Sequence, residues 1–158
     1  RDSDGSIDPQ ADDGKDEAYF DQVRENVRRL ADRYGVDLAR EVATDVDSLP
    51  AQVASFTVQE TYPDRWRGFD DAVLDALWQD DRDIGDVGVL ADVAAEQDLD
   101  PGEIRSAVAD EELRDRVFAR FDQAAQQGIT GVPTFVYGDR AARGAVPPEH
   151  LARLIDGE

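Results

Sequence analysis

Few side chains in this sequence could carry covalent chemistry. The chain contains one histidine, His150, and no cysteine or methionine. A Ser-His-Asp triad would have to be built around His150, and such triads need a base that a third group holds in a cleft. His150 stands one turn into a predicted C-terminal helix, next to the charged Glu149, which favours a surface structural role. With no thiol and one imidazole, we assign no catalytic residue and expect no zinc site.

Two runs of aspartate, in segments 2–8 and 80–86, could supply the oxygen ligands that calcium prefers. Neither run has the spacing of a calcium-binding loop. In the first, Gly5 stands two positions too early and no glutamate occupies the twelfth place. In the second, Gly85 occupies a ligand position and Asp86 the glycine position. Solvated acidic loops are therefore favoured, and no metal site is expected.

The sharpest local signal is the segment 128–136, in which Pro133 directly precedes a β-prone run. A proline is unfavourable inside a paired strand but is tolerated at the first residue of a strand. The Val132–Pro133 peptide bond could be cis, although only about 5–6% of X-Pro bonds in folded proteins are. The spacing alone favours a trans proline that begins an edge strand.

The residues before this segment predict helices. The clearest helix carries an apolar stripe at spacings of three and four, formed by Phe20, Val23, Val27, Leu30 and Tyr34. Gly35 can end this helix. We predict further helices over 37–43, from Ser48 to Pro63, from Asp64 through Leu77, over 87–97, from 100 to 109 and from 110 to 128. Ser48 and several aspartates are the predicted N-caps, and Glu103 is placed to close a capping box with Asp100.

The C-terminal segment changes character. A strand over 134–137, a turn at Gly138-Asp139, a returning strand over 143–146 and a helix opened by Pro147-Pro148 are predicted. The chain is accordingly divided into an acidic loop or tail (1–14), a helical insert domain (15–127) and a hairpin with its helix (128–158). The predicted fold class is α/β and mostly helical.

The composition restricts the partners. The net charge is −20, with 27 Asp and 10 Glu against 16 Arg and one Lys. Nucleic acid and anionic membrane surfaces would be repelled, so neither is expected as a partner. The excess of short carboxylates resembles that of proteins from salt-accumulating halophiles, where concentrated salt screens their mutual repulsion. With no secretory or membrane-spanning segment in the sequence, a cytoplasmic location is expected.

Residues 128–135, followed by Gly144 to Glu149, resemble the C-terminal signature of DsbA-like thioredoxin-fold proteins. The similarity is to the branch of FrnE-type oxidoreductases and 2-hydroxychromene-2-carboxylate isomerases. The segment 83–85 with Leu90, Leu99 and Asp100 is similar to the helical insert of that branch. The resemblance covers roughly residues 69–155 and implies a partial thioredoxin-like fold with a helical insert.

The resemblance implies a substrate-binding loop formed by Gly131, Val132, Pro133 and Thr134. Val132-Pro133 would be the cis-proline loop that offers the Val132 backbone to an extended polypeptide or a small thiol substrate. In the family a Cys-x-x-Cys at the start of the first helix exchanges disulfides, and in the isomerases a serine with bound glutathione takes that place. Neither group can be assigned to a residue of this sequence, and no cofactor is assigned to the chain.

The expected function is therefore that of the C-terminal part of a DsbA/FrnE-like thiol-disulfide oxidoreductase. The chain begins at Arg1 without methionine, which we interpret as a piece of a longer reading frame whose catalytic segment lies upstream. Two alternatives remain open: a glutathione-dependent isomerase-like protein, and a non-catalytic module that binds extended peptides. A possible homodimer is also expected, because the open edges of an isolated hairpin favour pairing with another chain.

Overall fold

The computed structural model describes residues 17–40 and 46–157. In these ranges the chain forms α1 (Glu17–Tyr34), α2 (Leu49–Thr61), α3 (Trp66–Trp78), α4 (Val87–Glu96), α5 (Pro101–Val108), α6 (Glu111–Gln126), β1 (Thr134–Tyr137), β2 (Arg140–Arg143) and α7 (Pro148–Asp156). The chain packs as two compact units that divide between Arg114 and Asp115, within α6. The sequence predicted three parts, with boundaries after residues 14 and 127. This division differs from the two compact units and stays a prediction. No helix in the described ranges is long and apolar enough to cross a membrane.

The core of the first unit lies among α2, α3, α4 and α5. Its largest fully buried side chains are those of Phe69, Leu90, Val53, Val58 and Val93. The buried apolar side chains of α3 and α4 form one cluster, because their spacing places them on a single face of each helix. Trp66 and Trp78, at the two ends of α3, pack against this cluster.

Three aspartates begin helices as predicted. The carboxylates of Asp86 and Asp100 accept hydrogen bonds from the amides of Gly88 (2.6 Å) and Gly102 (2.7 Å). The Asp110 carboxylate likewise accepts a bond of 2.8 Å from the Glu112 amide. Each bond satisfies an amide of the first helical turn, which has no partner inside the helix.

Two predicted capping bonds are not formed, although Ser48 does occupy the N-cap position of α2. The Ser48 side chain makes no capping bond; instead, the carboxylate of its neighbour Asp47 accepts the Leu49 amide at 2.9 Å. Asp64 does not begin α3, because the Tyr62 carbonyl accepts the amides of Arg65 and Trp66 at 2.9 and 3.0 Å. In both places a neighbouring oxygen satisfies the first amides, so the predicted side chain is not needed.

Glu103 does not bond back to Asp100 as a capping box requires. Its carboxylate accepts a hydrogen bond of 2.7 Å from the Tyr62 hydroxyl, which joins the end of α2 to α5. This hydrogen bond, with burial and the negative charges of Glu103 and Asp100, raises the pKa of Tyr62. A tertiary partner has thus replaced the local one that the sequence spacing suggested.

The helix predicted over 37–43 is not present in the described residues 37–40, and the remainder of that prediction lies outside the described ranges. The amide of Ala39 donates to the Trp78 carbonyl at 2.8 Å, and the Arg40 guanidinium pairs with Asp81 at 2.7 Å. The segment is therefore held against the end of α3 by contacts distant in sequence, which a local helical pattern cannot reveal.

The C-terminal unit contains the predicted hairpin with a different second strand. β1 pairs with β2 in antiparallel register, from Thr134 opposite Arg143 to Tyr137 opposite Arg140. The second strand thus begins at Arg140 and ends at 143, and the prediction of 143–146 is wrong. A two-residue turn returns the chain at once, with Gly138 at φ +63° as such turns require. The final helix begins at Pro148 as predicted.

Candidate functional site

The loop that leads into β1 contains the residues predicted to bind substrate. Gly131, Val132 and Pro133 are exposed, and Thr134 is half-buried at the first position of the strand. The Val132–Pro133 peptide bond is cis. The Thr134 hydroxyl donates a hydrogen bond of 2.6 Å to the Gly131 carbonyl, which closes the loop around Pro133. The four residues are therefore held together as one short structural feature.

Helix α6 and the hairpin position this loop from both sides. The turn that follows α6 contains Gly128, which adopts φ +77°, and the amide of Ile129 bonds to the Ala124 carbonyl at 3.0 Å. The Arg143 guanidinium donates to the Gly128 carbonyl at 3.1 Å and links β2 to the end of α6. On the other side, the Gly144 amide donates to the Pro133 carbonyl at 2.8 Å.

That last bond determines which backbone groups of β1 face outward. In an antiparallel pair, hydrogen-bonded and non-hydrogen-bonded residue pairs alternate. Because Pro133 bonds to Gly144, Phe135 and Tyr137 also direct their N–H and C=O groups toward β2. Thr134 and Val136 consequently direct theirs toward the opposite edge. Proline occupies an inward position at the end of the ladder, where its missing N–H removes no outward donor.

Within the described ranges this outward edge is unpaired, since the sheet contains β1 and β2 alone. No hydrogen bond engages the backbone of Val132 in the described part of the chain. The Val132 side chain is 93% exposed, and those of Val136 and Tyr137 are 58% and 51% exposed. The arrangement is an accessible strand edge bordered by apolar side chains, which can accept an extended chain by backbone hydrogen bonding.

The segment around this edge, residues 128–157, differs in net charge from the chain as a whole. Residues 128–157 carry equal numbers of acidic and basic side chains, namely Asp139, Glu149 and Asp156 against Arg140, Arg143 and Arg153. Nearly all of the net charge of −20 therefore lies before this segment. A polypeptide approaching the edge meets a locally neutral surface, so it need not be basic to bind.

The other candidate residues lie elsewhere. His150 is exposed on α7, and the structure brings it to no triad in the described residues. In the run 80–86, the carboxylates of Asp83 and Asp86 accept amide bonds from Gly85 and Gly88, and Asp81 pairs with Arg40. No group of three or more ligating side chains suited to a metal ion lies within residues 17–40 and 46–157. The aspartate run 2–8 lies outside those ranges.

The sequence analysis did not predict that the backbone groups of Thr134 and Val136 both face away from β2. Thr134 was assigned through its place in the loop, and Val136 was not assigned to the site. The signal that could have found them is the two-residue turn, because turn length sets the register and the register sets which amides face outward.

Comparison with known proteins places this geometry in a family. Residues 5–156 match the profile of the DSBA-like thioredoxin domain. The chain is 25% identical over 151 residues to YwbO, an uncharacterized protein of Bacillus subtilis strain 168, with 95% of this chain and 75% of that protein aligned.

The fold is also shared with a solved structure from Nitrosomonas europaea, described as a candidate protein disulfide isomerase. The two superpose with a TM-score of 0.74 at 21% identity, over 90% of this chain and 74% of the other. The predicted fold class is thereby confirmed. The family match extends over nearly the whole chain, beyond the residues 69–155 on which the sequence resemblance rested, and this protein belongs to the DSBA-like thioredoxin domain family.

Proposed function

We propose that this chain is the polypeptide-binding part of a DsbA/FrnE-like thiol-disulfide oxidoreductase. The observation that carries the proposal is the outer edge of β1, unpaired among the described residues, where Thr134 and Val136 direct their backbone groups away from β2 beside the exposed Val132. Family membership supports a redox role for the parent protein. The placement in the FrnE branch rests on the residue motifs at 128–135 and 144–149.

The edge is suited to substrates that are unfolded or extended. An added strand would bond to the N–H and C=O groups of Thr134 and Val136 without reading side-chain identity. The apolar side chains beside the edge would contribute contact area, and the neutral charge of residues 128–157 would tolerate many sequences. Such tolerance fits an enzyme that acts on many different polypeptides at their cysteines.

The thiol chemistry itself requires sulfur from outside these 158 residues, because the sequence contains no cysteine. In the exchange, a thiolate attacks a substrate disulfide, one substrate sulfur leaves as a thiolate, and a second thiolate then resolves the mixed disulfide. Pro133 has no amide N–H that could compete for a sulfur positioned beside it. The role of residues 131–134 is therefore to hold the substrate chain next to the reacting sulfur.

The chain alone is expected to show no thiol-disulfide exchange. Without a thiolate, neither step of the exchange has a nucleophile. The test is insulin reduction by dithiothreitol, followed by turbidity, with and without the chain. Equal rates are predicted, and a clear acceleration would overturn the assignment of the chemistry to groups outside this sequence.

Binding at the edge is tested by replacing Val136 with proline. The substitution removes an outward N–H but no bond of the hairpin, and proline is accepted on edge strands. We expect Val136→Pro to weaken binding at least about tenfold, the effect of losing one backbone hydrogen bond together with access to the edge. The probe is fluorescein-labelled insulin B chain with carbamidomethylated cysteines, followed by fluorescence anisotropy.

Val136→Ala is the matched control, since it shortens the same side chain and keeps the amide. It should bind within about threefold of the parent chain, because side-chain contact at this edge is secondary to the backbone bonds. Equal binding by the parent chain and Val136→Pro would contradict the proposal, as would no binding of the probe to the parent chain.

The accessible edge of β1 would also serve a second candidate, a module that binds extended peptides without catalysis. It shares the same edge and is distinguished by whether the natural protein carries a redox-active thiol pair in another segment. The isomerase alternative predicts that reduced glutathione, and not the insulin B chain, binds at residues 131–134. For the natural protein we infer a cytoplasmic location, because the acidic composition suits a salt-rich cytoplasm.

A further inference from the structure

The end of β2 holds both ends of the loop that joins α6 to β1, residues 128–133. Arg143, the last residue of β2, donates a hydrogen bond of 3.1 Å from its guanidinium to the Gly128 carbonyl, where the loop begins. The next residue, Gly144, donates its amide to the Pro133 carbonyl at 2.8 Å, where the loop ends. Two consecutive residues therefore fix the span of the loop.

The two bonds differ in what else supports them. The bond between Gly144 and Pro133 continues the ladder of β1 and β2, so the hairpin itself supports it. Residues 128–130 have no other hydrogen bond to the hairpin in the described part of the chain. Hydrogen bonding therefore ties the first half of the loop to the hairpin at the Arg143 side chain.

The Arg143 guanidinium also supplies a positive charge to the C-terminal end of α6. The last carbonyl groups of a helix have no partner inside the helix and carry partial negative charge, which a nearby cation stabilises. The last turn of α6 contains no basic residue. Among the described residues, no carboxylate forms an ion pair with Arg143 and so competes for its charge. Arg143 thus provides from β2 the cation that α6 lacks locally.

We propose that Arg143 is a positioning residue for peptide binding. By holding the Gly128 carbonyl, it keeps the 128–133 loop in the arrangement that presents the Val132 backbone beside the outer edge of β1. Arg143 lies on β2, one strand away from that edge, so it acts through the loop and not by contact with the added strand. The inference rests on the proposed function, because it concerns binding at the same edge.

Arg140 offers a matched comparison on the same strand. Its guanidinium donates to the Leu154 carbonyl in the last turn of α7, also at 3.1 Å. Both arginines are exposed, and each bonds to a carbonyl at the C-terminal end of a helix. Arg140 lies at the turn end of the hairpin, about 10 Å along the strand from Arg143. Loss of either bond can lower stability, whereas loss of the Arg143 bond alone should alter the loop.

The test compares Arg143→Met, Arg143→Lys and Arg140→Met in the full 158-residue chain. Methionine keeps an unbranched apolar stem and removes every N–H donor, whereas lysine keeps a charged donor that can bond to the Gly128 carbonyl. Binding of fluorescein-labelled, carbamidomethylated insulin B chain is measured by fluorescence anisotropy. The backbone motion of residues 129–132 is measured separately, by the heteronuclear NOE of the peptide-free, ¹⁵N-labelled chains.

We expect Arg143→Met to weaken binding about three- to fivefold, because the apparent dissociation constant rises as the fraction of chains with the loop in place falls. Arg143→Lys and Arg140→Met should bind within about 1.5-fold of the parent chain, because neither lowers that fraction. In the peptide-free chains, Arg143→Met should increase the picosecond-to-nanosecond motion of residues 129–132. The other two variants should leave this motion unchanged.

Undiminished binding by Arg143→Met, beside a parent chain that binds, would overturn this inference alone. Equal weakening in Arg140→Met, or no recovery in Arg143→Lys, would also overturn it, because the effect would then be one of general stability. Unchanged motion of residues 129–132 in Arg143→Met would contradict an action through the loop. A parent chain that does not bind the peptide would overturn the proposed function, and this inference with it.

Discussion

Replacing Phe69 with alanine should lower the free energy of unfolding by about 3–5 kcal/mol. Phe69 is fully buried, and it packs in the cluster that joins α2, α3, α4 and α5. Truncation removes the apolar contact of the ring and leaves a cavity that neighbours such as Leu90 can fill only in part. Because domains are usually stable by about 5–15 kcal/mol, this loss is a large fraction of the total.

The measurement is urea denaturation followed by circular dichroism in molar KCl, because guanidinium is itself a salt and would change the screening. Leu74→Ala is the matched control, since Leu74 lies on the same helix but is 48% exposed. It should cost less than about 1 kcal/mol. A cost below 1 kcal/mol for Phe69→Ala, or equal costs for the two variants, would show that the core is not where the structure places it.

The second large effect concerns salt. We propose that the acidic surface is an adaptation to concentrated salt, and we expect stability to rise by about 3 kcal/mol between roughly 0.1 and 2 M KCl. The figure assumes that screening relieves on the order of 0.15 kcal/mol for each of the 20 excess charges. For a chain of this size the shift corresponds to an increase in Tm of roughly 6–12 °C.

Thermal unfolding across a KCl series measures the effect. The control variant Asp71→Asn/Asp115→Asn/Asp122→Asn removes three exposed carboxylates and should show a shallower dependence of Tm on KCl. Chloride is a weak modifier of apolar burial compared with sulfate, so the difference between the two chains reports on charge. A Tm that is constant or decreases with KCl would contradict the proposed adaptation.

The helical part of the fold could largely be predicted from local pattern. The stripe of α1, the inward positions of α3 and the caps at Asp86, Asp100 and Asp110 depend on spacings within one or two turns. Two predictions failed because a partner distant in sequence decided the outcome. Tyr62 bonds to the glutamate intended for a capping box, and the Trp78 carbonyl holds the segment around Ala39 in place of a helix.

The candidate site could be located from the sequence but not described. Pro133 before a β-prone run indicated the loop, and the family resemblance implied that the loop binds substrate. The second strand was misplaced because its sequence, Arg140 to Arg143, has little β propensity, so the pattern favoured the later apolar residues. Only the observed register shows that Thr134 and Val136, not Phe135, present their amides to a partner strand.

The central claim is that this outer edge of β1 receives an extended polypeptide. The most direct test is a titration of the ¹⁵N-labelled chain with unlabelled, carbamidomethylated insulin B chain, followed amide by amide in two-dimensional NMR spectra. We expect the largest shifts at Val132, Thr134 and Val136, with smaller ones at Phe135 and Tyr137, whose amides already bond to β2. Shifts confined to other surfaces, or equal along β1 without alternation, would contradict binding by strand addition.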